Sequence, residues 1–288
     1  MTMRTLLTCH LVLLLADAPV LAQATAGPQA SSTAAASPSE RPAPAAYPWL
    51  GHEAAIEAAL RTAPIVRFED IPVGVTNPRR AYLAPGGPVS SFAWKPLTPG
   101  IRHGKMESYR SEIAAYLLSR HLGIHMVPPV VERRIDGVRG AAVYWIDGVR
   151  PWNPAAPPKT PGAKWSRQTS RMLMFDQLIA NIDRNQGNLL YDDDGFLYLI
   201  DHSRAFVPQP TLGTLAPPQQ FDRELWTRMA GLSRDDLESV VGAWLDGSQI
   251  SALLKRRDAM REYIERQVLE RGDAVTFLPP EPAPTAVR

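Results

Sequence analysis

Residues 175–206 read FDQLIANIDRNQGNLLYDDDGFLYLIDHSRAF, and the predicted fold depends on these residues. Its polar loop, residues 183–188, precedes two short apolar runs at residues 189–191 and 196–200. An Asp-Gly pair between two such runs is typical of a β-hairpin. The sequence therefore predicts a loop followed by a hairpin, with Asp201 emerging where the second strand ends.

A helix is predicted to lead into this loop. Apolar side chains ahead of the loop recur three or four residues apart, which is the spacing of one helix face: Met172, Phe175, Ile179 and Ile182. Together the pattern predicts a helix, a polar loop and a hairpin in immediate succession.

Three polar side chains surround the predicted hairpin: Asp183 before it, Asn188 at its entry and Asp201 at its exit. Phosphoryl transfer from a nucleotide needs such a set. One carboxylate holds the acceptor hydroxyl, while an amide and a second carboxylate hold Mg²⁺. Each aspartate alone is typical of a solvated loop, so the prediction depends on their order and spacing together.

The D-x-x-x-x-N spacing from Asp183 to Asn188 resembles the kinase catalytic loop. With the later LIDHSRAF, it is similar to the phosphoinositide 3-/4-kinase-like family and to secretory-pathway kinases of the Golgi casein kinase and four-jointed type. HipA-type kinases are more distant. The resemblance implies that Asp183 is catalytic and that Asn188 and Asp201 bind Mg²⁺ or Mn²⁺. His202-Ser203 stands where the usual kinase has Phe-Gly, so regulation through that motif does not follow.

The implied fold is α+β, the bilobed fold of atypical protein and lipid kinases. It has a small β-rich N-lobe with one helix, residues 49–150, and a larger helical C-lobe, residues 151–278. Apolar runs bounded by turn residues predict N-lobe strands at residues 65–68, 81–83, 91–94, 127–131 and 141–146. In the C-lobe, helices are predicted near residues 223–229, 235–245 and 248–269.

Lys95 follows a strand-like run, as does the kinase lysine that contacts the α- and β-phosphates. A lysine at a strand end otherwise extends into solvent. The predicted helix at residues 107–122 favours the first interpretation, because it carries Glu112 on its apolar side. A carboxylate there is costly unless it is paired, so we predict an ion pair with Lys95. Glu107, in the predicted first turn, is assigned to capping.

Residues 74–80, GVTNPRR, lie between the first two predicted strands. In a kinase-like N-lobe this segment covers the nucleotide phosphates, which makes Thr76, Arg79 and Arg80 candidate nucleotide-binding residues. The G-x-G-x-x-G pattern is missing, so an ordinary surface hairpin fits equally well. The resemblance also implies that residues 144–149 form the hinge that binds adenine.

The N-terminus has the pattern of a secretory signal peptide over residues 1–24: Arg4, an apolar core, and Ala22-Gln23-Ala24 as a cleavage site. An uncleaved anchor is the alternative. A disordered Ala/Pro/Ser linker is predicted for residues 25–48, and a similar tail for residues 279–288. We therefore predict export to the periplasm or the extracellular space, with no transmembrane span after cleavage.

Composition excludes several classes of site. The single cysteine, Cys9, lies in the predicted signal peptide, so the mature chain has no disulfide, cysteine nucleophile or thiolate metal site. The net charge is +2 and no basic run occurs, so we expect no nucleic-acid partner.

The sequence therefore predicts an exported phosphotransferase that uses ATP or another nucleoside triphosphate with Mg²⁺ or Mn²⁺. Its acceptor is a hydroxyl on a protein, a lipid or a small molecule. Two alternatives stay open at this point. One is an exported pseudokinase that only binds a nucleotide or a protein, and the other is a kinase-fold enzyme that transfers another group, such as adenylyl or glutamyl.

Overall fold

A computed structural model describes residues 47–71, 78–153, 162–209 and 216–281. Several predicted features lie outside the described residues: the signal peptide, all of the linker except its last two residues, Thr76 with most of its loop, and the end of the tail. The described residues belong to one compact unit.

The strands of the described residues, in chain order, are β1 (Ile65–Asp70), β2 (Arg79–Leu83), β3 (Ser91–Lys95), β4 (Gly100–Arg102), β5 (Lys105–Glu107), β6 (Val130–Ile135), β7 (Val138–Tyr144), β8 (Arg150–Pro151), β9 (Leu189–Tyr191) and β10 (Leu197–Leu199). The helices are α1 (Glu53–Thr62), α2 (Tyr109–His121), α3 (Ala163–Leu178), α4 (Arg223–Ala230), α5 (Arg234–Val241), α6 (Gly247–Arg271) and α7 (Asp273–Thr276).

The N-lobe is a five-stranded antiparallel sheet in the order β1-β2-β3-β7-β6. Alternate residues of β3 face opposite sides of this sheet. Phe92 and Trp94 pack with Ile56 and Leu60 of α1 in one apolar cluster. Lys95 lies on the other face, toward α2. Besides α2, the N-lobe carries α1, whose buried Ile56 and Leu60 belong to this apolar cluster.

The start of α2 differs from the prediction. The helix begins at Tyr109, because Ser108 is its N-cap and its hydroxyl accepts a hydrogen bond from the Arg110 backbone N–H. Glu107 therefore does not cap the helix; it is the last residue of β5. The β4–β5 hairpin was not predicted from sequence, because three-residue strands around His103-Gly104 carry little strand signal.

The C-lobe begins with α3, which ends at Leu178. The prediction that this helix continues to Ile182 was wrong, because Ala180 adopts a left-handed conformation (φ 50°) that terminates the helix. Ile182 is 37% exposed and lies in the loop that follows. A short 3-10 turn, Gln186–Asn188, leads into the predicted hairpin, whose strands are β9 and β10.

One apolar cluster joins α2 to the C-lobe helices and to the inner side chains of the β9–β10 hairpin. Tyr198 on the same hairpin packs against Trp49 of the N-lobe at 5.7 Å between ring centroids. Tyr47, which was assigned to the linker, stacks on Trp49 at 5.3 Å. Packing therefore starts two residues before the predicted boundary. Among the described residues, no helix has both the length and the apolar character required to cross a bilayer.

Candidate active site

Lys95 and Glu112 form the predicted ion pair, with 2.7 Å between Lys95 Nζ and Glu112 Oε1. The same ammonium donates to Asp201 Oδ1 at 3.0 Å. Glu112 is buried, so the burial of its charge is offset by a charge-assisted hydrogen bond. The structure thus brings together a strand lysine, a helix carboxylate and the carboxylate at the hairpin exit, which are separated by up to 106 positions in the chain.

Lys95 and Asp201 stabilise each other's charges, whereas burial, with the negative charge of Asp201, raises the pKa of Glu112 in spite of Lys95. The Lys95 ammonium lowers the pKa of Asp201 to about 2, although burial acts in the opposite direction. Burial alone would lower the pKa of Lys95, but the carboxylates of Asp201 and Glu112 outweigh it and raise that pKa. Lys95 is therefore cationic and Asp201 anionic near neutral pH.

Helix α2 is hydrogen-bonded to the segment that carries Asp201. Glu112 Oε2 accepts from the His202 backbone N–H at 3.0 Å. The Ser108 N–H donates to the Ser203 carbonyl at 2.9 Å, and Ser111 Oγ donates to the Ala205 carbonyl at 3.2 Å. These three contacts hold the Glu112 end of α2 against residues 201–206. Glu112 therefore accepts from Lys95 on a helix that is also bonded to the Asp201 segment.

The polar loop is held by its own side chains. Asn188 Nδ2 donates to the Asp183 carbonyl at 2.9 Å, and the Asp183 N–H donates to Asn181 Oδ1 at 3.3 Å. The Gly187 N–H donates to Asn185 Oδ1 at 2.9 Å. Asp183 and Asn188, which are five positions apart, are therefore held together by one side-chain hydrogen bond.

An ion pair that was not predicted lies beneath this loop. Arg184 donates Nε to Asp176 Oδ2 at 2.8 Å and Nη2 to Asp176 Oδ1 at 3.0 Å. Nη1 donates to the carbonyls of Asn188 and Ile200, at 2.6 and 2.9 Å. The remaining Nη2 hydrogen faces His202 Nε2 at 2.9 Å. All five N–H groups of one guanidinium are thus used: two bond Asp176, one bonds the Asn188 carbonyl, and two contact the residues on either side of Asp201.

His202 is neutral in this arrangement. Burial, followed by the nearby positive charge of Arg184, holds its pKa well below the ordinary histidine value. Because Arg184 can only donate, Nε2 of His202 accepts and its proton lies on Nδ1, 3.8 Å from Glu112 Oε2. His202 therefore contacts Arg184 through its ring Nε2 and Glu112 through its backbone N–H, while Nδ1 has no hydrogen-bond partner among the described residues.

The donor set fits a divalent cation that is shared with a nucleotide. Asn188 uses its amide nitrogen for Asp183, which leaves Oδ1 as a ligand oxygen, and Asp201 uses Oδ1 for Lys95 and Ser203, which leaves Oδ2. Mg²⁺ prefers one or two carboxylate or amide oxygens together with phosphate oxygens. No group of three or more metal-ligating His, Cys, Asp or Glu side chains occurs in the part of the chain that the structure describes.

The predicted phosphate loop is only partly described. Thr76 lies outside the described residues. Arg79 Nε is 3.4 Å from Asp70 Oδ1, and its guanidinium lies over the Phe68 ring. These side chains keep Arg79 at the exposed edge of the N-lobe, and the structure does not bring it to Lys95. A phosphate contact for Thr76 and Arg79 stays a prediction.

Arg80 pairs in register with Ala93, so its side chain is on the same sheet face as Lys95. Its guanidinium, however, lies over the Trp145 ring at 4.1 Å and donates to Asp147 Oδ1 at 3.0 Å. It is thus held at residues 144–149, the segment predicted to bind the base. A phosphate contact for Arg80 also stays a prediction.

Solved structures with the same architecture include the Golgi casein kinase, at TM-score 0.59 and 13% identity over 78% of this chain and 77% of that one. A structure of the Golgi casein kinase with Mn/ADP bound matches at TM-score 0.58 and 13% identity over 78% of each chain. Hydra Fam20 with sugar matches at TM-score 0.58 and 17% identity, over 77% of this chain and 91% of that one.

At these identities the likeness concerns the fold. The chain has the atypical, secretory-pathway kinase-like fold that residues 175–206 predict: an antiparallel N-terminal sheet with its helix, followed by a helical C-terminal part. No protein-family model matches the chain, and no curated protein matches it.

Proposed function

We propose that this chain is a nucleotide-dependent phosphotransferase that moves a γ-phosphoryl group to a hydroxyl acceptor. The observation that carries the proposal is Lys95 bonded to both Glu112 and Asp201, with Asp183 and Asn188 fixed on the adjacent loop. All five side-chain types that phosphoryl transfer uses on a kinase fold are present. Lys95 bonds Glu112 and Asp201 directly, and Asn188 bonds the Asp183 carbonyl.

Each residue has a defined task in this proposal. Lys95, oriented by Glu112, donates to the α- and β-phosphates of the nucleotide. Asp183 orients the acceptor hydroxyl toward the γ-phosphorus. Asn188 Oδ1 and Asp201 Oδ2 hold Mg²⁺ or Mn²⁺. When bound, that cation neutralises charge on the phosphate oxygens. The nucleotide is ATP or another nucleoside triphosphate, and the acceptor is on a protein, a lipid or a small molecule.

Metal-linked nucleotide binding tests the site. ADP with Mn²⁺ is expected to raise the melting temperature of the full chain, because a ligand that binds only the folded state stabilises it by about 2.7 kcal/mol at a hundredfold excess over Kd. Asp201→Ala should abolish this shift. Glu238→Ala, on an exposed ion pair of α5, is the matched control and should keep it. A shift that persists in Asp201→Ala would mean that nucleotide binds without the metal.

We also propose export. Its support is Arg4, the apolar run that follows, and Ala22-Gln23-Ala24, which together fit a cleaved signal peptide. N-terminal sequencing of the protein from the periplasmic or culture fraction tests this, and the expected first residue is Thr25. An intact Met1 in that fraction would contradict cleavage, and a purely cytoplasmic location would contradict export.

A further inference from the structure

Arg204 connects the candidate catalytic carboxylate to the N-lobe. Its Nη1 donates to Asp183 Oδ2 at 2.9 Å, while its Nε donates to Glu107 Oε1 at 2.8 Å. Nη2 also lies 2.6 Å from Glu107 Oε1. One planar guanidinium thus bonds a carboxylate from each lobe, a geometry that a lysine cannot reproduce.

Glu107 is an unusual anchor for this arginine. It is 1% exposed, and its Oε2 has no hydrogen-bond partner among the described residues. Burying a carboxylate with one oxygen unpaired is unfavourable, and a buried ion pair is often no more stable than an apolar pair of similar size. Stability alone therefore does not explain why Glu107 and Arg204 are paired. Arg204 also bonds the Asp183 carboxylate, so the pair has a second contact to serve.

Arg204 bonds only one of the two carboxylate oxygens of Asp183. In the described part of the chain, Oδ2 of Asp183 takes the hydrogen bond from Arg204, and no protein donor contacts Oδ1. The Asp183 side chain is 27% exposed, so an acceptor can reach this carboxylate. A carboxylate that binds one hydroxyl needs one free oxygen and a fixed orientation of its plane. The Arg204 contact fixes the plane of the Asp183 carboxylate and leaves Oδ1 free.

We propose that Arg204, anchored by Glu107, is a positioning residue that fixes the Asp183 carboxylate and leaves its Oδ1 for the acceptor hydroxyl. This inference rests on the proposed function. Because Arg204 lies three residues after Asp201, a single segment carries both the metal-binding carboxylate and the side chain that orients the acceptor carboxylate. Since small displacements of an acceptor are costly in rate, losing this contact should affect turnover more than nucleotide binding.

The kinetic test measures self-labelling of the full chain from γ-labelled ATP with Mn²⁺. In Arg204→Met and in Glu107→Gln, the rate at saturating ATP should fall about 10- to 100-fold, while the half-saturating ATP concentration changes less than about threefold. Arg171→Met is the matched control, because Arg171 also pairs with a buried carboxylate, Asp222, away from the site. An unchanged rate in Arg204→Met overturns the positioning role.

A stability measurement separates this role from a structural one. The double variant Glu107→Met, Arg204→Met replaces the ion pair with an apolar pair of similar volume. Its melting temperature should equal or exceed that of the wild type while its rate stays low. A rate that falls only in parallel with the melting temperature would show that the pair is structural, and would overturn the proposal.

A spectroscopic test needs no activity. The guanidinium N–H resonances of Arg204, identified by their loss in Arg204→Met, should be resolved and slow to exchange in the wild type. They should change in Asp183→Asn. Resolved signals in a wild type that labels nothing would overturn the proposed function and support the contact. Averaged signals in the wild type would overturn the contact, whatever the activity.

Discussion

Asp176→Ala is expected to lower the free energy of unfolding by about 3 to 5 kcal/mol, because it leaves the buried Arg184 guanidinium without its carboxylate. Asp176 is fully buried, and the Arg184 side chain is 4% exposed. Water cannot replace the lost partner at such a site. Urea unfolding at neutral pH, followed by far-UV circular dichroism, measures the change.

The double variant Asp176→Leu, Arg184→Leu provides the comparison. Removing both charges leaves no uncompensated ion, so the double variant should be less destabilised than the sum of the two single variants. Glu238→Ala on α5, where both partners of the ion pair are about half exposed, should change stability by less than about 1 kcal/mol. Additive effects of Asp176→Leu and Arg184→Leu would contradict the bidentate pair.

Lys95→Met is expected to weaken nucleotide binding about 10- to 100-fold, since charge-assisted hydrogen bonds to phosphate contribute about 1.5 to 3 kcal/mol. Glu112→Gln should cause a similar loss, because the lysine then lacks its orienting carboxylate. The double variant should be little worse than either single variant, as expected for residues that act as a unit.

Titration calorimetry with ADP and Mn²⁺ measures these affinities. Lys105→Met is the matched control, because Lys105 is an exposed lysine of β5 that the proposal does not use. The affinity of Lys105→Met for ADP with Mn²⁺ should equal that of the wild type. If the losses in Lys95→Met and Glu112→Gln simply add in the double variant, the two side chains do not act together at the phosphates, and the placement of the nucleotide is wrong.

Helical periodicity and the resemblance to kinases together predicted the Lys95–Glu112 contact. A carboxylate between Tyr109 and Tyr116 on one side of a helix requires a partner, and the resemblance points to the lysine at the end of a strand. The hairpin after Asn188 was predicted for a similar local reason, since its turn residues and apolar runs are contiguous.

Contacts set by tertiary structure were not predictable in the same way. Glu107 was assigned to helix capping because nothing in the sequence shows that β4 and β5 form a hairpin there or that Arg204 lies opposite. Asp176 did carry a signal: a carboxylate beside Phe175 in an apolar helix requires a cation, and Arg184 follows eight residues later. Which cation pairs with Asp176 depends on where α3 ends, and the sequence pattern did not predict that end correctly.

Transfer of label from nucleotide to product distinguishes phosphoryl transfer from transfer of another group and from binding alone. The full chain is incubated with Mn²⁺ and either γ-labelled or α-labelled ATP, with Asp183→Asn as the inactive control. Only the γ-label should become covalently attached to protein or to an added hydroxyl acceptor, and Asp183→Asn should abolish this attachment. Attachment of the α-label, or of neither label by the wild type, would contradict phosphoryl transfer.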